Sequence, residues 1–285
     1  MTADDVAAAS AVGGAALAGV VPIEFQPSSE AEVRLYDERR ALRVRHLLAS
    51  DPEGCWVAES DADGEIVGVA LAIVREGIWG LSLLGVAPGR QGAGLGGRLL
   101  AGALTTLDGC RGGLILASTD PRALRRYVRA GFALRPCVAA TGQINRSRIP
   151  AGLRARAGDP DADREILDDA SRFVRGASHA HDLPGFLETG GELLVHDGGG
   201  WAVVRDGSPM VVAARDGAVA QDLLWSCFAA GQPGQTVHLD FIAAENDWAI
   251  AVALDMGLSL TTEGPLFVRG ETGPLAPYLP SGAYL

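Results

Sequence analysis

The sequence predicts a mixed α/β protein built from two domains with a similar order of elements. The chain has 285 residues, which is room for two domains of ordinary size. In the first half, strand, glycine-rich turn, helix, strand, helix and strand patterns follow one another, as is typical of a mixed sheet flanked by helices. Part of this order recurs after residue 160, although the two halves share no visible sequence identity.

Apolar periodicity predicts the elements of the first half in chain order. An alanine-rich stretch and an amphipathic stretch predict the first two helices, and the turn sequence Asp-Ala-Asp-Gly separates the first two clear strands. Before them, residues 20–25 are a strand candidate that Pro22 would confine to a sheet edge. The predicted helices are 4–17, 31–48, 94–107 and 121–130, and the predicted strands are 55–59, 65–74, 78–86, 114–117 and 132–138.

The second half begins after a stretch rich in Arg, Pro, Gly and Asp that predicts a linker over residues 146–160. The predicted domains are therefore 1–145 and 161–285. The second domain is expected to contain helices at 161–174, 219–229 and 246–256, strands at 192–195, 200–205, 210–214 and 235–241, and an extended segment at 258–268.

Composition and charge exclude several classes of protein. Hydrophobic residues make up 48% and charged residues 21%, which are globular values. The net charge of −11 lies in residues 151–285, which hold 8 Arg against 19 acidic residues. This is the reverse of the basic footprint of a nucleic-acid binder; it suits a cationic partner, or it is a surface that favours solubility. The first residues lack the basic flank of a signal peptide and the apolar length of a membrane span, so we expect a cytoplasmic protein without a membrane partner.

Cysteine usage argues against a zinc ribbon or a redox dithiol. The four cysteines (Cys55, Cys110, Cys137 and Cys227) are far apart, and no pair has the C-x-x-C spacing. Buried thiols in a reducing compartment are the expected outcome.

A glycine-rich turn after the strand at 78–86 is the strongest local feature. It contains Gly89, Gly92, Gly94, Gly96 and Gly97 and leads into a helix. Glycines allow close backbone approach, and a helix N-terminus presents unpaired N–H groups, so together they predict an anion site of the pyrophosphate type. A P-loop is excluded because the chain contains no Lys, and the glycine spacing does not fit a Rossmann fingerprint.

The segment Gln91-Gly-Ala-Gly-Leu-Gly96 matches the pattern Gln/Arg-x-x-Gly-x-Gly/Ala. It resembles the acyl-CoA loop of the GNAT superfamily of N-acetyltransferases. Tyr127-Val-Arg-Ala-Gly131-Phe132 resembles that family's Tyr-x-x-x-Gly-Phe segment and follows in the family's order, with a strand between the two motifs. The whole chain resembles tandem GNAT proteins of actinobacteria. This resemblance implies two domains, each with a mixed, mostly antiparallel twisted sheet flanked by helices.

The resemblance also implies a set of ligand contacts. Acetyl-CoA would be the cosubstrate, its pyrophosphate held by the N–H groups of Gly92 and residues 94–97. The strand before the loop would pair with the pantetheine amides, and the N–H of Val86 would face the thioester carbonyl. Arg90 and Arg98 either meet phosphates or stay solvated. The expected cofactor-binding residues are Leu84, Gly85, Val86, Arg90, Gln91, Gly92, Ala93, Gly94, Leu95, Gly96, Gly97, Arg98 and Tyr127.

Two residues are the expected catalytic groups. Tyr127 would be the general acid for the CoA sulfur, with a packed aromatic at a helix end as the alternative. Ser82 could order a water, or it is an ordinary strand serine. The strand before the loop carries no carboxylate, so the general base is not visible; Glu59 and Glu76 are the nearest alternatives in sequence.

The second half lacks a matching loop. Asp216 and a single glycine follow the corresponding strand, and a carboxylate beside a pyrophosphate is repulsive, so this half is interpreted as a degenerate, non-catalytic domain. His179 and His181, next to Asp182, suggest a metal site, a substrate contact or hydrogen-bonded structure; a metal site would lack its third and fourth ligands, so no metal is expected.

The sequence therefore predicts an acetyl-CoA-dependent N-acetyltransferase that moves an acetyl group directly to a primary amine of a small, cationic molecule. A peptide N-terminus is the rival acceptor. The alternative function is a non-catalytic acyl-CoA-binding sensor or interaction module. No nucleic-acid partner is expected, and a homodimer is compatible with the sequence.

Overall fold

The computed structural model of the chain describes residues 1–18, 27 and 29–285. The chain divides into two compact units, Met1–Cys110 and Arg111–Leu285. The strand candidate at 20–25 lies outside the described residues. Each unit is described by itself.

The first unit is an antiparallel three-stranded meander with helices packed on it. The predicted elements are present, and the predicted third helix ends early, its last turn being the 3₁₀ segment Leu104–Leu107. The helices are α1 (Val6–Leu17), α2 (Glu30–Ser50) and α3 (Leu95–Ala103), and the strands are β1 (Cys55–Glu59), β2 (Ile66–Arg75) and β3 (Ile78–Val86).

The central strand β2 forms the core of this unit. Its residues from Val69 to Ile73 are all buried, so both of its faces are covered, and α1 and α3 both pack against it. The helix α1 also comes close to β3 at Gly85, where a Cβ would lie 3.0 Å from Cβ of Ala16. The helix α2 begins at Ser29, whose hydroxyl accepts the N–H of Glu32 at 3.2 Å.

The second unit contains the remaining helices and strands. A short helix (residues 183–188) and two short strands (156–157 and 278–279) were not anticipated, and the first of these strands lies inside the predicted linker, where it pairs with residues 194–195. The helices are α4 (Pro121–Arg129), α5 (Arg164–Arg175), α6 (Leu183–Glu188), α7 (Gly217–Ala230) and α8 (Asp247–Met256). The strands are β4 (Gly112–Leu116), β5 (Ala133–Arg135), β6 (Cys137–Gln143), β7 (Arg156–Ala157), β8 (Glu192–His196), β9 (Gly200–Arg205), β10 (Ser208–Ala214), β11 (Thr236–Ala243), β12 (Ser259–Thr262), β13 (Leu266–Gly270) and β14 (Tyr278–Leu279).

Two strands of this unit each pair with strands that are distant in the sequence. The late strand β13 lies antiparallel between β4 and β5, and the early strand β6 lies antiparallel between β11 and β12. The single strand predicted at 132–138 and the single extended segment predicted at 258–268 are therefore wrong; each is two strands. Pro136 and Pro265 stand at the two breaks, where the chain leaves one sheet for another.

The remaining strands form a sheet in the order β14-β10-β9-β8-β7. The helix α7 packs against β9 and β10, and it buries Leu223, Leu224 and Phe228 in the main apolar cluster of this unit. All four cysteines of the chain are free thiols. Among the described helices, none is long and apolar enough to cross a membrane.

Candidate active site

The glycine-rich loop is a tight connection between β3 and α3. The N–H of Arg90 donates to the carbonyl of Ala87 at 3.0 Å, and the side-chain amide of Gln91 donates to the carbonyl of Val86 at 3.2 Å. Three glycines of the loop have positive φ: 80° at residue 89, 94° at residue 92 and 82° at residue 94. Side chains rarely adopt this conformation, so the shape of the loop depends on glycine.

The start of α3 presents uncommitted backbone donors. The N–H groups of Gly97 and Arg98 donate to the carbonyl of Gly94, at 3.0 and 3.2 Å. Those of Gly92, Gly94, Leu95 and Gly96 bond to no described residue. The sequence predicted five donors including Gly97; in the structure, the Gly97 N–H bonds within the helix start.

The space above these donors is open. A Cβ added at Gly89, Gly92, Gly94 or Gly97 would meet no atom within 4 Å. Backbone N–H groups at a helix N-terminus, with room for a ligand in front of them, fit a diphosphate. The residues present are thus compatible with the pyrophosphate of coenzyme A.

Backbone groups near the C-terminal end of β3 alternate in their orientation relative to β2. The N–H of Ala87 donates to Val67 on β2 at 2.9 Å, and backbone groups alternate along a strand. The N–H and carbonyl groups of Leu84 and Val86 therefore point away from β2, as pairing with pantetheine amides requires. The N–H and carbonyl groups of Gly85 point toward β2, and the absence of a side chain at Gly85 allows α1 to pack closely against β3.

A cleft of about 850 Å³ adjoins the loop within the first unit. Trp56 on β1 is 41% exposed and lines it together with Arg90 and Arg98. Arg90 lies 3.8 Å from a carboxylate oxygen of Asp63, and both side chains are about half exposed, so this pair is weak and leaves the guanidinium accessible. An aromatic face and two cations suit a phosphorylated nucleotide.

Ser82 is held by an arginine. The register of β2 and β3 shifts between Leu71 and Ala72, which makes Ser82 the extra residue of a β-bulge. The guanidinium of Arg43 on α2 donates to the Ser82 hydroxyl at 2.7 Å and also to its carbonyl. A hydroxyl oxygen that accepts from a cation is a poor proton acceptor, so this geometry favours a structural serine.

Tyr127 lies on α4 with its ring buried at 5% exposure. The ring meets that of Phe267 on β13 edge to face, with 5.4 Å between centroids. Burial raises the pKa of the phenol well above its ordinary value, so the hydroxyl keeps its proton. No described residue hydrogen-bonds to that hydroxyl.

The Tyr-x-x-x-Gly-Phe segment is a helix C-cap. Gly131 has a φ of 85°, and its N–H donates to Val128 at 3.0 Å, while the N–H of Phe132 donates to the carbonyl of Tyr127 at 3.1 Å. These two bonds define a Schellman motif. The glycine and phenylalanine therefore fix where α4 ends and so set the position of Tyr127.

The two carboxylates suggested as bases lie at different ends of β3. Glu59 is exposed and lines the cleft beside the loop. Glu76 lies in the hairpin between β2 and β3, and β3 itself, from Ile78 to Val86, spans about 26 Å at ~3.3 Å per residue. Neither position adjoins the middle of β3, so the structure adds no support for either as the base.

The corresponding helix start in the second unit is capped by its own side chain. Asp216 accepts the N–H groups of Ala218 and Val219 at 2.9 and 3.0 Å. The carboxylate occupies the donors that a phosphate would need and adds a like charge. This cap is compatible with the interpretation of the second half as a degenerate, non-catalytic domain, which stays a prediction.

The histidines at 179 and 181 do not form a metal site with each other. His179 is buried against Trp201 and Phe186, and its Nε2 lies 2.8 Å from the hydroxyl of Tyr278, whereas His181 is exposed. In the described part of the chain, a different trio has ligand atoms close enough for a metal: His238, Asp240 and Glu263. The sequence analysis missed it, although His238 and Asp240 alternate in a predicted strand; its third member is 23 residues further on.

Parts of the chain are similar to known acetyltransferases. Residues 22–132 match the family model described as Acetyltransferase (GNAT) family. The matched range contains both the glycine-rich loop and the Tyr127 segment. A mycothiol acetyltransferase from Stackebrandtia nassauensis is 39% identical over 90 residues, which are 29% of this chain and 29% of that protein.

Solved structures show that the similarity in fold extends beyond the residues that match the family model. A proposed acetyltransferase from Pyrococcus horikoshii matches with a TM-score of 0.77 at 16% identity, covering 100% of this chain and 94% of that one. A GCN5-related N-acetyltransferase from Sphaerobacter thermophilus has a TM-score of 0.57 at 17% identity, covering 95% and 94%. A tandem GNAT protein from the clavulanic acid biosynthesis pathway has a TM-score of 0.54 at 16% identity, covering 95% and 97%. These likenesses confirm the predicted two-domain fold class.

Proposed function

We propose that the protein is an acetyltransferase that moves the acetyl group of acetyl-CoA directly to a primary amine of a small, cationic molecule. The open cradle at the start of α3 carries this proposal. The N–H groups of Gly92, Gly94, Leu95 and Gly96 would hold the pyrophosphate, and the backbone groups of Leu84 and Val86 that point away from β2 would hold the pantetheine arm. Acetyl-CoA would supply the activated thioester.

The oxyanion of the transfer step needs a donor, and the N–H of Val86 is our candidate. It points away from β2, and the carbonyl of the same residue is held by Gln91, which restrains the residue's orientation. A preorganised donor of this kind stabilises charge that develops during acyl transfer.

We assign Tyr127 as the group that stabilises the leaving thiolate. Because burial raises its pKa, the phenol is neutral at physiological pH and can donate a hydrogen bond. An ordinary thiol has a pKa of about 8.5, so full proton transfer from this phenol to a thiolate is unfavourable. We therefore expect hydrogen-bond donation to the sulfur to be the main contribution of Tyr127.

The acceptor class follows from charge. Residues 151–285 carry 8 Arg against 19 acidic residues, which favours a cationic amine over a neutral or anionic one. The S. nassauensis relative is named as a mycothiol acetyltransferase, so a mycothiol-related amine belongs in the panel of acceptors to be tested.

A second candidate function is an acyl-CoA-binding module without turnover. One observation favours it: β3 carries no carboxylate, and the hydroxyl of Ser82 accepts from Arg43, so the strand offers no general base. This function needs the same cradle but no amine.

Calorimetric titration with acetyl-CoA, followed by thiol release with a panel of amines, tests the proposal. We expect binding, and release with one cationic class. Tyr127→Phe should bind acetyl-CoA normally and transfer about 10–150-fold more slowly, because a hydrogen bond to a charged group contributes about 1.5–3 kcal/mol. Tyr36→Phe, which removes a phenol from α2, is the matched control and should transfer at the normal rate.

The outcomes separate the candidates. Binding without release on any amine supports the binding module. Normal transfer by Tyr127→Phe rejects the assignment of Tyr127, and a protein that does not bind acetyl-CoA rejects both functions.

A further inference from the structure

Three metal-ligating side chains meet in the second unit, at residues the proposed function does not use. His238 and Asp240 lie on β11, and Glu263 directly follows β12. One ligand atom from each lies within 4.8 Å of the other two. Nε2 of His238 is in direct contact with a carboxylate oxygen of Asp240.

The other ring nitrogen of His238 is held by a neighbouring strand. Its Nδ1 lies 2.7 Å from the hydroxyl of Thr141, which stands opposite His238 in the register of β6 and β11. Metal-bound histidines are commonly oriented by such a second hydrogen bond. In the tautomer whose Nδ1–H donates to the Thr141 hydroxyl, Nε2 is the acceptor of the ring and faces Asp240.

In that tautomer, Nε2 of His238 and the carboxylate oxygen of Asp240 are both hydrogen-bond acceptors. An imidazole lone pair and a carboxylate oxygen repel each other unless a proton or a metal ion lies between them. Glu263 brings a second carboxylate, which is largely withdrawn from solvent and accepts the N–H of Gly264 at 2.8 Å. Among the described residues, no arginine forms an ion pair with Asp240 or Glu263. His238 is therefore the basic side chain that faces the two carboxylates, and no arginine assists it among the described residues.

We propose that His238, Asp240 and Glu263 bind one divalent transition-metal ion, with zinc preferred. An imidazole nitrogen favours zinc over magnesium or calcium, and two carboxylates complete a three-ligand set that leaves coordination positions for water. The ion would join β11 to the end of β12 across β6, which lies between them. It would thereby stabilise the pairing of β6 with both of its neighbouring strands.

Calorimetric titration of the full-length, chelator-treated protein with zinc chloride tests this site. We expect one equivalent to bind and to raise the melting temperature. His238→Ala and the nearly isosteric Glu263→Gln should abolish that binding. Thr141→Val, which removes the bond to Nδ1 at constant volume, should weaken it about 10–100-fold.

His181→Ala is the matched control, because it removes an exposed imidazole that lies outside the cluster. It should bind zinc as the unaltered protein does. Cobalt(II) checks the ligand type: nitrogen and oxygen ligands give weak visible bands without the strong near-ultraviolet band of a thiolate ligand.

Three results would overturn the proposal. The first is no zinc uptake, which would leave a proton on His238 as the balancing charge. The second is zinc uptake that is undiminished in His238→Ala and Glu263→Gln. The third is a thiolate band with cobalt, which would place the metal on cysteine. Circular dichroism of each variant verifies that the fold is retained.

Discussion

Gly94→Ala should separate the cradle's ligand-binding role from its effect on folding. Gly94 is the residue before α3, with a φ of 82°, and a Cβ there would meet no atom within 4 Å. The added methyl therefore meets no atom of the protein, and it would lie on the residue next to the free N–H groups of Leu95 and Gly96. The same substitution at Gly109, which also has a φ of 82° and open surroundings, is a matched control in the same unit.

The expected magnitudes follow from this match. Alanine in the left-handed region costs about 1–2 kcal/mol at either position. At ~2–4 °C per kcal/mol, both variants should melt several degrees below the unaltered protein. At position 94 alone, the methyl also displaces a charged ligand group from the donors. Losing one such hydrogen bond, worth about 1.5–3 kcal/mol, should weaken acetyl-CoA binding about 10–150-fold.

Thermal melting and acetyl-CoA calorimetry on the two variants provide the measurement. We expect equal losses of stability and a loss of affinity at position 94 alone. Equal losses of affinity at both positions would show that destabilisation, and not the cradle, weakens binding. Normal affinity of Gly94→Ala would refute the assignment of the cradle.

Three further predictions concern the second unit. Asp216→Ala removes the acceptor of two N–H groups, so it should lower the free energy of unfolding by about 0.5–2 kcal/mol in denaturant titrations. Calorimetry should still find one acetyl-CoA per chain. A second bound acetyl-CoA would contradict the self-capping role. The guanidinium of Arg156 and the Asp159 N–H lower the pKa of Asp163 below 3.8. The contribution of Asp163 to stability is therefore complete above that pH and is lost as the pH falls through the lowered value. Asp163→Asn should make the free energy of unfolding depend less on pH in the acid range, and an unchanged dependence would contradict this. Gly264→Ala would place a Cβ 1.7 Å from the carbonyl oxygen of Ala117 and should lower the free energy of unfolding by about 1–3 kcal/mol or more in denaturant titrations. Gly152→Ala, in open space, should cost only the backbone strain. Similar losses of stability in both variants would argue against the close approach just before β13.

Local patterns predicted most elements because each depends on residues close in sequence. Alternating apolar residues identified β1 and β3 to the residue, and the glycine-rich turn identified the start of α3. The motif ending at Gly131 and Phe132 is likewise local, since its capping bonds join residues three to five apart. The role of Ser82 was left open by the sequence because its partner, Arg43, lies 39 residues away.

The two wrong strands show where local patterns stop being informative. Residues 132–138 and 258–268 each look like one extended run, since a strand pattern carries no information on its partner. In the structure each run divides at a proline, and β6 and β13 then enter sheets formed by distant segments. Which neighbour a strand pairs with depends on long-range packing that no short window contains.

The expectation of acyl-transfer chemistry came from the resemblance of two motifs to the GNAT superfamily. The sequence by itself determined the glycine-rich loop, the helix end that sets Tyr127 and the excess negative charge of the second half. These depend on backbone conformations and charges that residue types impose directly. The tertiary structure decided the pairing of β6 and β13 with distant strands, the hydrogen bonds from Arg43 to Ser82, and the proximity of Glu263 to His238 and Asp240. Each of these joins residues far apart in the chain, and their distance is set by the packing of the whole unit.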